Sequence, residues 1–591
     1  MEKTIFRAYF RDLTEIMRII SGILQNLKIC IFIHCLTGIF AFRAWEGALQ
    51  KTKRGPSLFD GSFFPPVCYN KRNPALWADS LDAGLSGGRK VRPGRNAKQK
   101  GTKHMACTTI LVGKKASCDG STMIARNDDG FFDEKKLTVV LPKDQPRKYK
   151  CTISHLEIAL PDNPLRYTST PSVDLSRGIW AANGINAANV AMTATETITT
   201  NPRVLAADPM VRYQPKKASR GKDIPGGIGE EDLVCIVLPY IRSAREGVER
   251  LGMLLEQYGT YESNGIAFSD KDEIWWMETI GGHHWIAARV PDDRYVIMPN
   301  QFGLDHFDFD DAFGEKKNFL CSADLREFIR ENHLDLNLEG PFNPRLAFGS
   351  HSDADHVYNT PRAWFMGRYF NPKTVRWDGP DAQYTPESDD IPWSFVPESR
   401  ITVEDVKYIL SSYYQGTPYN PYGKASPDQK AKYRPIGISR TGVMAILQLR
   451  GYMPQEISAL EWICFGANPF NAALPVYTNT DKMPAYLSKV TMEVSTDTFY
   501  WTNRLIGAMA DAHYGSCIQL IERYQGAVAA GGHTLIREYD KKMLESGRFD
   551  RIDEANQALA DMAKKEAGET LSKVLRQASL AMRCGYQRAD N

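Results

Sequence analysis

Apolar and polar positions along this chain change their period from one region to the next. A run of β-branched and apolar residues (Thr108, Thr109, Ile110, Leu111, Val112) is followed by turn residues (Ser117, Cys118, Asp119, Gly120) and by a second apolar run over residues 121–126. This predicts a hairpin whose first strand opens at Cys107. A second hairpin is expected from residues 178–182 and 188–195, with its turn at Asn183-Gly184, because Asn-Gly suits a tight hairpin turn. Over residues 230–258 the period lengthens. Leu233, Ile236, Val237, Tyr240, Ile241, Val248, Leu251 and Leu255 recur at helical spacing. Four short strands are then predicted over residues 265–268, 273–278, 284–289 and 295–298, with turn residues between them. The last third reads as helical over residues 401–414, 442–449, 498–524 and 534–578, and the Pro- and Asp-rich stretch 377–397 reads as a loop. Strands followed by covering helices predict a layered α+β fold with a helix-rich C-terminal part.

Charge separates the first hundred residues from the rest. Residues 1–104 carry 18 Lys and Arg against 7 Asp and Glu, a net of +11; since the whole chain is +3, residues 105–591 carry −8. The leading part includes stretches such as KTKRGPS and GGRKVRPGRNAKQKGTK, which bury too little apolar surface to order themselves. The apolar stretch in it that bears on location, residues 29–42, has 14 residues, is interrupted by His34 and is flanked by Lys28 and Arg43. A membrane span needs about 20, and a signal sequence needs a clean small-residue cleavage site. The expectation is that residues 1–106 form a basic leader: either an untranslated stretch upstream of a true start at Met105, or a propeptide. The codons for Lys100-Gly101 are compatible with a ribosome-binding site at a suitable distance from Met105.

The 11 cysteines include three in the leader (Cys30, Cys35, Cys68) and eight spread through the remainder, with no C-x-x-C pair. That spacing suggests neither a zinc site nor a disulfide framework, and reduced cytoplasmic thiols are the expectation. Beyond the leader the chain is long enough for a large core, and it contains no apolar stretch of membrane-spanning length.

Cys107 is the residue that carries chemistry. If the peptide bond before it is cut, a free α-amine stands beside its thiol. The thiol titrates near ~8.5 and the amine near ~7.7–8.0, so the amine can take the thiol proton close to neutral pH. One residue then supplies nucleophile and base. The alternative is a small buried apolar residue in a strand. Removing Met105 alone exposes Ala106, so Ala106 must leave as well. The hairpin returns Arg126 and Asp129 toward Cys107, with Asp128 the rival for the acidic role.

The run CTTILVG followed by DGSTMIARNDD strongly resembles the start of the cysteine dipeptidases of the N-terminal nucleophile (Ntn) hydrolase superfamily, dipeptidase A type. Further matches follow in order: GINAANVAMTATET, SNGIAFSDKDEIWWMETIGGHHW, VIMPNQF, YNTPRAWF and EWICFGANPFNAALPVYTN. The resemblance covers residues from about 106 to the C-terminus. It implies a four-layer αββα sandwich over residues 107–591, an N-terminal Cys107 nucleophile and a thioester intermediate. It also implies that Asp129 binds the α-ammonium, Arg126 favours thiolate, Asn300 stabilises the oxyanion and Arg362 holds the catalytic cluster or a substrate carboxylate. A dipeptide presents an ammonium, and Glu196 is the candidate to bind it. No metal or organic cofactor is expected. The expected partners are dipeptides and further copies of the chain, with neither nucleic acid nor membrane.

Other patterns lead elsewhere. His351, Asp353, Asp355 and His356 in HSDADH lack the helical spacing of zinc peptidases and read as a polar loop. His283 and His284 are adjacent, which in a strand points them to opposite faces. GGIGEE reads as a helix entrance, without the Lys-Ser/Thr of a phosphate loop. The alternatives are an amidase of the same superfamily acting on bile-salt or penicillin-type amides, and a non-catalytic protein in which Cys107 is never exposed.

Overall fold

The computed structural model describes residues 107–130, 134–218, 221–430 and 432–583. The expectations for residues 1–106 lie outside them.

Two antiparallel sheets carry the fold. In the first, the strands lie in the order Ser394–Phe395, Tyr295–Met298, Thr108–Val112, Thr122–Asp128, Val443–Leu449, Ala459–Phe465 and Leu474–Tyr477. In the second the order is Phe319–Cys321, Trp285–Arg289, Ile274–Thr279, Asn264–Ser269, Ala191–Thr193 and Asn183–Ile185, with Glu196–Thr197 paired to the start of Asn264–Ser269. The Thr122–Asp128 strand touches Asn264–Ser269 and Ala191–Thr193 of the other sheet, and the helix Val403–Leu410 also packs on it. All seven residues of Thr122–Asp128 are buried. Burying an aliphatic side chain of this kind stabilises by about 1.5–3 kcal/mol. On the second sheet the helix Ala244–Tyr258 packs against Asn264–Ser269, Ile274–Thr279 and Trp285–Arg289. Ser243 caps its start by accepting from the Glu246 N–H, and Gly259 ends it at φ 68°.

The hairpin at Cys107 forms as the sequence predicts, with Thr108 opposite Asn127 and Thr109 opposite Arg126. Cys107 stands one residue before the strand. Tyr295–Met298 falls on its predicted residues and pairs with Thr108–Val112 on the other side.

Four expectations are corrected. Residues 442–449 form the strand Val443–Leu449, not a helix; a short unbroken apolar run buried on both faces has no period that separates the two. Asn183-Gly184 lies inside a strand, and the hairpin turns instead after Asn186, whose Oδ1 accepts from the N–H groups of Ala188 and Val190. The helix expected over residues 230–258 is split into Leu233–Val237 and Ala244–Tyr258, with Pro239 between them. The helices expected over 498–524 and 534–578 are Phe499–Ala512, Tyr514–Ser546 and Ile552–Leu580; breaks fall at His513 and at Gly547, which is left-handed at φ 60°. These three pack on one another and the last two on Leu474–Tyr477, forming the helix-rich C-terminal part. Residues 377–397 are largely irregular, as expected, and contribute only the edge strand Ser394–Phe395. Among the described residues no helix is long and apolar enough to cross a membrane.

Candidate active site

Side chains alternate along a strand, so Cys107 and Thr109 share a face, as do Arg126 and Asp128 on the neighbouring strand. That face looks at the second sheet. Thr109 Oγ1 donates to Glu196 Oε2 at 2.7 Å, and Arg126 Nε donates to the Thr195 carbonyl at 2.6 Å. The two sheets are thus tied at the end where Cys107 sits.

Cys107 is fully buried. Arg126 Nη2 reaches its Sγ at 2.9 Å, and the same nitrogen holds Glu230 Oε1 at 2.6 Å and lies 3.6 Å from Asp128 Oδ1. Burial pushes the Cys107 thiol well above its ordinary value; Arg126 pulls it down, and Glu196, Glu230 and Asp128 push it further up. The pull of Arg126 is thus outweighed by burial. A thiol in this state needs a base to give up its proton.

The acids around it are not equivalent. Burial pushes Glu196 up to about 8, against the pull of Arg362 and Arg126. Glu230 is pushed up to about 7 by burial, with Arg126 opposing. Asp128 goes the other way: burial raises it, but Lys135 and Arg126 outweigh that and hold it low. Lys135 Nζ sits 2.9 Å from Asp128 Oδ2 and donates to the Trp180 carbonyl. Two acceptors facing this region, Asp128 Oδ1 and Glu196 Oε1, are buried without a hydrogen-bond partner. An unmet buried acceptor costs about 1–3 kcal/mol, and the ammonium of a bound molecule would satisfy one.

Asn300 and Arg362 form the other wall. The loop carrying Asn300 is anchored from the second sheet: Glu278 Oε1 accepts from the N–H groups of Gly303 at 2.7 Å and Leu304 at 3.3 Å. Arg362, on the helix Thr360–Phe370, is fully buried. Its Nε donates to Tyr358 O, its Nη1 to Cys107 O and to Thr108 Oγ1, and its Nη2 to Asn300 Oδ1 and Asn359 Oδ1. A guanidinium has five donors, and all five are spent on protein acceptors. This arrangement fits the holding of the cluster rather than the binding of a substrate carboxylate. Burial, then the neighbouring Arg434, lowers Arg362 to about 9. Asn300 Nδ2 donates to Thr197 O at 2.9 Å. Because Arg362 can only donate, Asn300 turns its oxygen toward Arg362 and its NH2 away, leaving one N–H unassigned.

Asp129 lies beyond the strand end with both carboxylate oxygens engaged: Arg434 Nη2 bonds Oδ2 and Thr441 Oγ1 donates to Oδ1 at 2.6 Å. Its rival Asp128 is the one whose charge bears on the Cys107 sulfur.

Sequence reasoning missed Glu230 and Lys135. Glu230 lies in GGIGEE, and its acidic doublet at a Gly-rich entrance was the available signal. The HSDADH stretch is not inert either: Asp355 accepts from Asn359 Nδ2 at 2.6 Å, so it reaches the site through Asn359. His283 and His284 do not point apart. They precede the Trp285–Arg289 strand, and their Nδ1 atoms lie 3.0 and 2.8 Å from the two oxygens of Asp208. Ligand atoms of Cys107, Asp128 and Glu230 lie within 4.8 Å of one another. Arg126 approaches all three and supplies positive charge there.

Comparison with known proteins matches residues 106–527 to the model of peptidase family C69. The chain is 51% identical over 533 residues to a dipeptidase of Bifidobacterium longum, covering 82% of this chain and 100% of that protein. It is 51% identical over 491 residues to a probable dipeptidase A of Streptococcus pyogenes serotype M3, again 82% of this chain and 100% of that protein. A dipeptidase A of Lactobacillus helveticus is 44% identical over 497 residues, 83% of this chain and 100% of that protein. With a buried thiol, a guanidinium on its sulfur and a family model spanning most of the chain, the protein belongs to peptidase family C69, a family of cysteine peptidases.

Proposed function

We propose that this cysteine-type dipeptidase hydrolyses dipeptides with Cys107 as an N-terminal nucleophile, after the residues before it have been removed. The observation that carries this reading is the contact of Arg126 with the Cys107 sulfur at 2.9 Å, inside a ring of buried carboxyls. The freed α-amine takes the thiol proton. The thiolate attacks the scissile carbonyl, a C–S bond forms, and the carbonyl oxygen becomes an oxyanion. Asn300 offers its remaining N–H to that oxyanion. The C–N bond then breaks, and the leaving amine takes the proton from the α-ammonium. Water, deprotonated by the same amine, attacks the thioester; the C–S bond breaks and the thiol is restored.

Asp129, fixed by Arg434 and Thr441, is the proposed orienter of the α-ammonium; each of its oxygens has a further lone pair to offer. Glu196 is the proposed binder of the substrate ammonium, supported by its unpartnered Oε1. The names of the relatives support a dipeptide substrate. Two contacting antiparallel sheets with helices packed on each support the four-layer Ntn sandwich. The reading carries a cytoplasmic homo-oligomer; the seven described cysteines, all free, support a reducing compartment.

The test is turnover by processed enzyme. An unblocked dipeptide should be hydrolysed, with activity lost on alkylation by iodoacetamide and kept in the presence of a chelator. Cleavage of acyl amides with dipeptides left intact would move the assignment to the amidase alternative. Full activity after complete thiol alkylation would remove Cys107 from the chemistry.

A further inference from the structure

Asn359 occupies the N-cap position of the helix Thr360–Phe370, yet its side chain does not cap that helix. No helical N–H is open to it there: the second helical residue is Pro361, which has none, and the Arg362 N–H donates to the Asn359 carbonyl at 3.0 Å. Here the carboxamide is turned away from the helix end. Its Oδ1 accepts from Arg362 Nη2 at 2.8 Å, and its Nδ2 donates to Asn300 O at 3.1 Å and to Asp355 Oδ1 at 2.6 Å. One side chain therefore touches both the guanidinium that grips the Cys107 carbonyl and the backbone of the residue offered as oxyanion donor.

The orientation of that amide is forced from both ends. Arg362 can only donate and ionised Asp355 can only accept, so the Asn359 oxygen must face the first and its nitrogen the second. Asp355 is itself held: its Oδ2 accepts from Ser350 Oγ at 3.0 Å and from the backbone N–H and Oγ of Ser352, both at 2.9 Å. Asp355 and Asn359 are 4% and 5% exposed, so solvent does not compete for these bonds. The chain of constraint runs from the Ser350–Ser352 turn through Asp355 and Asn359 to Arg362. Arg362 in turn fixes which way the Asn300 carboxamide points.

We propose that Asn359 and Asp355 are positioning residues of the peptidase reaction: without touching substrate, they set the orientation of Asn300 as oxyanion donor and of Arg362 on the Cys107 carbonyl. The proposal rests on the reading of Asn300 as oxyanion donor. The Asn359 carboxamide has no helix N–H to serve, and its three bonds run to Arg362, to the Asn300 backbone and to Asp355.

The test compares Asn359→Ala and Asp355→Asn with Asn300→Ala, each in the full chain processed to the active form. Asn300→Ala should lower kcat about 10²- to 10³-fold, the usual cost of one oxyanion donor. Asn359→Ala leaves that donor present but loosely aimed, and should lower kcat about 10- to 100-fold with KM within about 3-fold. Asp355→Asn, which keeps the side-chain volume, should show a smaller loss in the same direction; it carries the test if Asn359→Ala does not fold. An aminoacyl aldehyde, which forms a tetrahedral hemithioacetal on the thiol, should lose affinity in parallel with kcat. Alkylation of Cys107 by iodoacetamide, which needs no oxyanion donor, should keep its rate. A thermal melt reports folding separately. Wild-type kcat in Asn359→Ala beside a crippled Asn300→Ala would overturn the proposal, as would a change confined to KM. Wild-type kcat in Asn300→Ala would remove the oxyanion reading and this proposal with it.

Discussion

Replacing Cys107 by Ala should lower kcat for dipeptide hydrolysis by a factor on the order of 10⁴–10⁶, the scale seen when a covalent nucleophile is removed. The loss should leave the fold in place. Cys107 precedes the first strand and contributes no ladder pair of its own, and its sulfur is one contact among several that hold Arg126. Melting temperature and far-UV circular dichroism should therefore stay near the wild-type values while turnover disappears. Cys107→Ser should retain a trace of activity, since its hydroxyl can use the same base but is a weaker nucleophile. Wild-type-like turnover by Cys107→Ala would end the proposal that this sulfur performs the chemistry.

Arg126→Met is expected to be the most damaging substitution for stability. Arg126 is buried, and it is the cation on Glu230 and beside Asp128, with Lys135 sharing only Asp128. Removing one partner of a buried ion pair costs about 3–5 kcal/mol, because the other charge stays behind unpaired. The effect carries a pH signature. Glu230 and Glu196 are already pushed up to about 7 and about 8, from an ordinary 4.5, with Arg126 present. Without it they rise further, so the folded variant holds more protons than the unfolded chain above pH ~4.5. Unfolding free energy then falls as pH rises across that interval. The wild type shares that fall until its own carboxyls ionise, so urea denaturation should show the Arg126→Met deficit growing as pH rises through about 7 to 8, where wild-type Glu230 and then Glu196 lose their protons and the variant's keep theirs. Activity should fall too, because the one contact that draws the Cys107 thiol toward thiolate is gone. A deficit that is flat with pH would place the lost energy in packing rather than in charge.

Much of this site is legible in the sequence. The hairpin puts Arg126 beside Cys107 because two apolar runs joined by a short turn pair with each other. Asn300 and Arg362 came from the motifs VIMPNQF and NTPRAW, and the structure joins them through the Arg362 guanidinium. What sequence could not show is partnership across long separations. Glu230 meets Arg126 over 104 positions, and Asp129 meets Arg434 over 305. Local patterns carry no record of such pairs. The Val443–Leu449 strand was misread for a related reason. A strand covered on both faces is apolar at nearly every position, and the alternation that marks a half-exposed strand is missing. Opposite faces for His283 and His284 would need both in the strand, but it begins at Trp285, and in the turn before it they converge on Asp208.

The central claim is that the nucleophile and its base belong to one residue. The Cys107 sulfur is fully buried and its thiol is pushed toward the protonated form. N-terminal sequencing and intact mass of the purified, active enzyme test the claim most directly. The account predicts that active molecules begin at Cys107, that an uncleaved chain turns over no dipeptide, and that activity rises in step with the fraction of termini exposed. Full activity in a preparation whose Cys107 nitrogen is still acylated by the preceding residue would contradict it.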